Sequence, residues 1–384
     1  MNENKLKILN VNMSLDPVTG GGTAERTVQI SRALVKAGHS CTILTTDVGF
    51  PEEQALRLKG VAIIDLPCIS KRFYLPRFSY MQISKIVSDA DIIHLMGHWT
   101  FINALVYIIA RQQKKPYVVC PAGALPLYGR SKIIKKLYNS IIGGKIIYNA
   151  NGHIAITTGE IKQFIPYGVD ASKIKNIPNG IDVAEFQDTR TEVFRHKYGL
   201  GQDPFILLVG RLNQIKGPDL LLKAFCAIKE KLQGYHLVFI GPDGGMLSEL
   251  KNITTHFNMA ERVHFLGYLG GKEKSEAYRA AKLLVIPSRQ EAMSIVALEA
   301  GAAGTPVLLT DQCGFDQVAQ IDGGKVVPAT VEGIRQGLLD MLAAPERLKS
   351  MGQNLKKYVC EQFTWESAAN KYIAVYQGIL FGKN

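Results

Sequence analysis

The segment 288–310, SRQEAMSIVALEAGAAGTPVLLT, limits what this chain can fold into more than any other. It follows an apolar run, residues 281–287, that reads as a buried strand. From Ser294 the pattern turns helical, with Ile295, Leu298 and Ala302 on one face, and Pro306 opens a second strand over 307–310. Strand, loop, helix and strand in this order make one βαβ unit of a parallel sheet. Ligands of such sheets bind at the carboxyl ends of the strands, where this loop must lie. Ser294 suits the N-cap, so the N–H groups of residues 295 to 297 are expected to face the crevice. A helix N-terminus carries about half a positive charge and suits a phosphate. Glu291 stands just before the helix and Glu299 about one turn inside it. Carboxylates do not help to bind phosphate, but they accept hydrogen bonds from sugar or ribose hydroxyls. An anion cradle between two hydroxyl acceptors suits a nucleoside diphosphate sugar.

A length of 384 residues fits two or three domains. Mean hydropathy is +0.04, and the apolar runs are broken within about ten residues, too short to span a bilayer. The start of the chain lacks the apolar core of a signal peptide. Cysteines at 41, 68, 120, 226, 313 and 360 have no metal-ligand spacing, so reduced thiols and a cytoplasmic location are expected. The net charge of +12 is uneven. Residues 92–159 hold no Asp or Glu, but they include Arg111, Lys114, Lys115, Arg130, Lys132, Lys135, Lys136 and Lys145. Such a field attracts phosphates or an anionic membrane. Nucleic acid is disfavoured, because aromatic residues do not interleave with the basic ones.

Strands are expected over 7–12, 41–46, 61–66, 92–95, 117–120 and 154–157, with a helix over 23–37 after Gly20, Gly21 and Gly22. This opening resembles a dinucleotide fold, but three spaced glycines and a distal acid are missing, which weakens an NAD(P) oxidoreductase reading. The glycines serve either a flexible turn or a ligand. Asp89 and Asp91 precede the 92–95 strand, the wrong end for a metal at the crevice. His94 and His98 sit at its carboxyl end, as structural or as ligand-facing side chains. Residues 131–142 form a basic amphipathic helix, with Ile133, Ile134, Leu137 and Ile141 on one face and Lys132, Lys135 and Lys136 flanking the other. It is either a membrane-surface helix or an ordinary surface one. The second half opens with a strand over 205–209 and then Gly210-Arg211, followed by Lys216-Gly217-Pro218. Two cations this close can grip a diphosphate from both sides, Arg as a fork and Lys as a point charge. Strands over 237–240 and 263–266 follow, the latter ending at Gly267 and Tyr268.

The spacing of Glu291 and Glu299, the preceding Pro287-Ser288 and the EAGAAGTPV that begins at Glu299 together resemble the two-glutamate signature of the retaining family 4 glycosyltransferases. The Gly-Arg and Lys-Gly pairs at 210–217, IPNGID at 177–182 and FTWE at 363–366 extend the resemblance over essentially the whole chain. Where the family usually has Gly-Phe-Gly, this chain has Ala292-Met293-Ser294. The resemblance implies an α/β GT-B fold, two Rossmann-like domains facing across a cleft. Residues 1–185 would be the acceptor domain, joined by a returning helix 367–384, and residues 186–366 the donor domain. It implies transfer of a hexose from a nucleoside diphosphate sugar, UDP being the first choice of base, to a glycan or lipid-linked acceptor in polysaccharide synthesis, without cofactor or metal. Arg211 and Lys216 would carry the diphosphate, Glu291 the sugar hydroxyls and Glu299 the ribose, and His98 would lie near the donor sugar or the acceptor hydroxyl. Gly21, Gly22, Gly210, Gly267, Tyr268, Ala292, Met293, Ser294 and Ile295 would line the donor. An inactive sugar-binding scaffold is the other alternative, and the intact Arg211, Lys216, Glu291 and Glu299 speak against it.

Overall fold

The computed structural model describes residues 5–16, 20–49, 58–71, 73–127, 132–186, 190–291 and 293–382; Ala292, Arg130 and Ser131 therefore lie outside the described residues. The chain divides into two compact units, Met1–Asn179 with Trp365–Asn384, and Gly180–Thr364.

The first unit contains β1 (Lys7–Val11), β2 (Ser40–Thr46), β3 (Ala62–Leu66), a small hairpin of β4 (Cys68–Ser70) and β5 (Leu75–Pro76), β6 (Ile92–Met96), β7 (Tyr117–Cys120), β8 (Gly152–Ala155) and β9 (Ile174–Asn176). Seven of these make a parallel sheet in the order β3-β2-β1-β6-β7-β8-β9. The central strands are continuous apolar runs because helices cover both faces of the sheet. Two polar residues, Asn10 and His94, sit opposite each other in the β1–β6 register. Asn10 donates to Ser31 Oγ at 2.7 Å, and His94 Nδ1 lies 2.9 Å from the Tyr376 hydroxyl. Tyr376 belongs to the helix Trp365–Phe381, which packs on the helix Gly21–Lys36. A fully buried Arg26 ties these pieces together, donating to Ile177 O at 2.7 Å, to the Tyr372 hydroxyl at 2.6 Å and to Asn179 Oδ1.

The basic helix differs from the expected 131–142. It is α-helical over Lys132–Tyr138, passes into a π-helical turn over Asn139–Gly143 and resumes over Gly144–Tyr148. The wider turn places the Asn139 side chain between His98 Nε2 at 2.8 Å and the Tyr167 hydroxyl at 2.7 Å, two hydrogen bonds that reward the local departure. Ile133, Ile134, Leu137 and Ile141 are all exposed, so the apolar face is not packed on the unit. Among the described residues no helix is long and apolar enough to cross a membrane.

The second unit contains β10 (Phe205–Val209), β11 (His236–Ile240), β12 (Val263–Phe265), β13 (Leu283–Ile286), β14 (Val307–Thr310) and β15 (Gly324–Val327). All pairings are parallel, in the order β12-β11-β10-β13-β14-β15. The order reverses between β10 and β13, and a crevice opens beyond the carboxyl ends of strands at such a reversal. The core below it is a cluster including Leu208, Leu221, Phe225, Phe239, Val285 and Leu308, all buried. The edge strands β9 and β15 had no clear pattern in the sequence, the first being three residues long and the second having Gly324 and Lys325 in its four.

Candidate active site

The loop leaving β10 is shaped by backbone proximity. Leu212 N donates to Pro242 O at 3.0 Å, and Gly244 N to Leu212 O at 3.0 Å, which lashes the Arg211 segment to the turn after β11. At Gly241 an added Cβ would stand 2.0 Å from Gly210 O, so only glycine lets the two strand ends approach this closely. Further on, Asn213 Oδ1 accepts from Lys216 N at 3.0 Å, which turns the chain toward β13. Gly217 has φ of +65°, and a Cβ there would lie 2.1 Å from Pro287 O.

A bidentate ion pair then joins the helix Pro218–Ala227, which follows the β10 loop, to the loop after β13. Arg289 donates from Nη1 to Asp219 Oδ1 at 2.9 Å and from Nη2 to Asp219 Oδ2 at 2.7 Å. Its Nη1 also reaches Gln214 O at 2.8 Å, and its backbone N–H donates to Ile215 O at 2.7 Å. Burial works to raise the Asp219 carboxyl, but the hydrogen bonds and charge of Arg289 outweigh it and hold the group below the usual range.

Lys216 and Glu291 are thereby brought together. Lys216 Nζ lies 2.7 Å from Glu291 Oε1. The Ser288 hydroxyl donates to Glu291 Oε2 at 3.0 Å, and Glu291 N donates to Gln312 O at 2.9 Å. A pocket is lined by these side chains together with Val209, Pro287 and Ser294. Ser294 caps the helix Ile295–Ala303, its Oγ accepting from Ala297 N at 3.4 Å. The cap therefore takes one of the three N–H groups expected to serve an anion, and those of Ile295 and Val296 are the donors the turn offers. Glu299, one turn further in, is 6% exposed. Its Oε1 is 2.7 Å from Lys274 Nζ, and its Oε2 accepts from the Tyr278 hydroxyl at 2.5 Å. Burial, and then the charge of Glu299, push the Tyr278 hydroxyl far above its ordinary pKa, so it remains a donor.

The structure thus gathers Lys216, Glu291 and Ser294 in one pocket, with Arg211 on the same loop as Lys216 and Glu299 in the helix behind. Gly267 and an exposed Tyr268 follow β12 in the same unit, and Met293 is buried. Sequence reasoning assigned no role to Ser288, Asp219, Arg289, Lys274 or Tyr278. The local signals were Ser288 beside Pro287 in the segment that carries the family resemblance, and the four-residue spacing of Lys274 and Tyr278 on one helix face.

In the first unit, Gly21 and Gly22 open the helix Gly21–Lys36, whose first turn holds no acid. His98 follows β6 but is 2% exposed, enclosed by the rings of Trp99, Tyr138 and Tyr167. Because Asn139 Nδ2 donates to Tyr167, its Oδ1 faces His98 and assigns the proton to Nε2. Burial pushes the ring down to about 4 against the hydrogen bond to Asn139, so it is neutral near pH 7. Asp91 accepts from Lys7 N at 2.7 Å at the amino end of β6. Among the described residues no group of three His, Cys, Asp or Glu side chains is arranged to hold a metal ion.

Two parallel α/β units, one of which presents a cationic loop and a capped helix N-terminus at its topological switch point, are the architecture of a GT-B glycosyltransferase. Residues 20–185 match the model for Glycosyltransferase Family 4, and residues 190–358 match that for Glycosyl transferases group 1. The chain belongs to the family 4 glycosyltransferases. It is 28% identical to an uncharacterized glycosyltransferase of Methanocaldococcus jannaschii, over 97% of this chain and 98% of that protein. It is 29% identical to the D-inositol 3-phosphate glycosyltransferase of Segniliparus rotundus, over 62% of this chain and 55% of the relative. Among solved structures, Anabaena HepE in complex with UDP-glucose superposes with a TM-score of 0.81 at 16% identity, over 97% of this chain and all (100%) of that one. WaaG, a glycosyltransferase involved in lipopolysaccharide biosynthesis, superposes with a TM-score of 0.71 at 21% identity, over 98% of this chain and 100% of that one.

Proposed function

We propose that this chain transfers a hexose from a UDP-sugar to a glycan or lipid-linked acceptor, with retention of the anomeric configuration and without a metal. The observation that carries this reading is the Lys216–Glu291–Ser288 constellation beside the helix Ile295–Ala303. An ammonium has three donors, so Lys216 can keep Glu291 and still meet a diphosphate oxygen. Arg211 and the helix N-terminus add to it, and together they offset the charge that grows on the leaving diphosphate. Glu291 accepts from sugar hydroxyls, and Glu299 accepts from the ribose. Glu291, the carboxylate among the described residues that line the pocket, is bonded to Lys216 and Ser288. The family resemblance implies that the acceptor oxygen attacks C1 from the face the diphosphate leaves: the C1–O bond to phosphate breaks, the new C1–O bond forms, and the acceptor proton passes to the departing phosphate oxygen. His98 contributes by holding the loop after β6 on the acceptor side. The UDP preference is supported by structural relatives whose names record UDP and UDP-glucose complexes.

The acceptor side carries a further feature, the exposed Ile133, Ile134, Leu137 and Ile141 beside Lys132, Lys135 and Lys136. This combination supports peripheral contact with the anionic cytoplasmic face of a membrane, where a lipid-linked acceptor resides. The reading is tested by a thermal-shift panel of UDP, GDP, ADP and NAD, followed by mass spectrometry of products from the best donor. Stabilisation by UDP and a new glycosidic product support it. Stabilisation by NAD alone points to a dehydrogenase, and by none of the four to a scaffold.

A further inference from the structure

Glu299 enters the proposed reaction as the reader of ribose, and the inference drawn here rests on that reading. The orientation of its carboxylate is set by two donors, Lys274 at Oε1 and Tyr278 at Oε2. Both come from the helix Gly271–Ala280, four residues apart on one face. A carboxylate offers about four lone-pair positions, so one donor on each oxygen fixes its plane and leaves each oxygen able to accept once more. The Tyr278 ring is fully buried, lies 6.1 Å from the Phe186 ring and has its carbonyl bonded by Thr305 Oγ1 at 2.7 Å. Lys274 closes the other side from a side chain that is 27% exposed. The helix that carries both donors begins directly after the loop with Gly267 and Tyr268.

We propose that Lys274 and Tyr278 are positioning residues that aim Glu299 at the ribose 2′- and 3′-hydroxyls and thereby set a preference for ribonucleotide over deoxyribonucleotide donors. A fixed, desolvated acceptor rejects an analogue lacking the hydroxyl because its lone pair is left unpaired; an acceptor free to turn away discriminates less. The fold alone needs only that the buried carboxylate be neutralised, so discrimination separates the two roles.

The test is calorimetric binding of UDP, 2′-deoxy-UDP and 3′-deoxy-UDP to wild type, Glu299→Gln, Tyr278→Phe, Lys274→Met and Lys274→Arg, with GDP and its deoxy forms used if UDP does not bind. The wild type is expected to favour the ribonucleotide by about tenfold or more. Glu299→Gln brings that ratio close to unity. Tyr278→Phe and Lys274→Met each reduce it severalfold by weakening the ribonucleotide alone, and Lys274→Arg retains it. If Tyr278→Phe and Lys274→Met keep the wild-type ratio while Glu299→Gln loses it, the positioning role is overturned and the ribose reading stands. If Glu299→Gln keeps the ratio, the ribose reading fails and the inference with it. Should Tyr278→Phe not fold, Lys274→Met decides, since its side chain lies at the rim.

Discussion

Lys216→Ala removes the ammonium 2.7 Å from Glu291 Oε1, and it acts on stability and on turnover with different sizes. The two side chains are 30% and 12% exposed, and Glu291 keeps its hydrogen bond from Ser288. The pair is therefore partly screened, and its loss costs about 1 kcal/mol of stability. For a unit of this size that lowers the melting temperature by roughly 2–4 °C. Under the proposed reaction turnover is expected to suffer more, because the departing diphosphate would lose a fixed cation in the pocket. A loss of about 3 kcal/mol in transition-state stabilisation corresponds to about a hundredfold lower kcat/KM. Arg211→Ala is expected to lose activity to a similar extent. The assay is steady-state product formation by mass spectrometry beside a thermal melt. If both variants stay within roughly threefold of wild type in kcat/KM, the diphosphate is not held by these cations and the assignment is wrong.

Arg289→Ala leaves Asp219 partly buried without its bidentate partner and is expected to cost about 3 kcal/mol of stability, read from urea midpoints; Arg289→Lys, which cannot span both oxygens, recovers only part of it. Acid is expected to destabilise the first unit, because burial, aided at His94 by the charge of Arg26, holds His94 at about 3, and burial holds His98 at about 4. Both folded values lie below the unfolded one, so the unfolded chain takes up protons first, and stability present above about pH 6.5 is lost on descending toward pH 4, by up to about 1.4 kcal/mol per pH unit for each histidine. A urea midpoint that does not change between pH 7 and pH 5 would contradict the buried neutral rings. EDTA is expected to leave transfer intact; loss of activity that magnesium or manganese restores would overturn the metal-free reaction. Vesicles of anionic lipid, but not neutral lipid, are expected to bind the protein at low salt and release it as salt rises, and exchanging Lys132, Lys135 and Lys136 for Glu removes that binding without changing donor hydrolysis.

Much of the second unit was legible because its signals are local. The change from an unbroken apolar run to helical periodicity at Ser294 marked β13, the N-cap and the helix Ile295–Ala303. The Gly-Arg and Lys-Gly pairs marked the loop after β10 in the same way. Partners distant along the chain were not legible. Asp219 and Arg289 are 70 residues apart, and Tyr278 and Glu299 are 21 apart; neither side chain carries a mark of the other. The sequence placed His98 after β6, but its enclosure by Asn139 depends on a π-helical turn that no periodicity announces. The short strands β9 and β15 formed because a neighbouring strand offered its edge, whatever their own residues preferred. Periodicity and capping are set by neighbours within a few residues, so the sequence determines them directly. Hydrogen-bond partners and burial depend on which elements the packing brings within about 3 Å, and only the tertiary structure decides that.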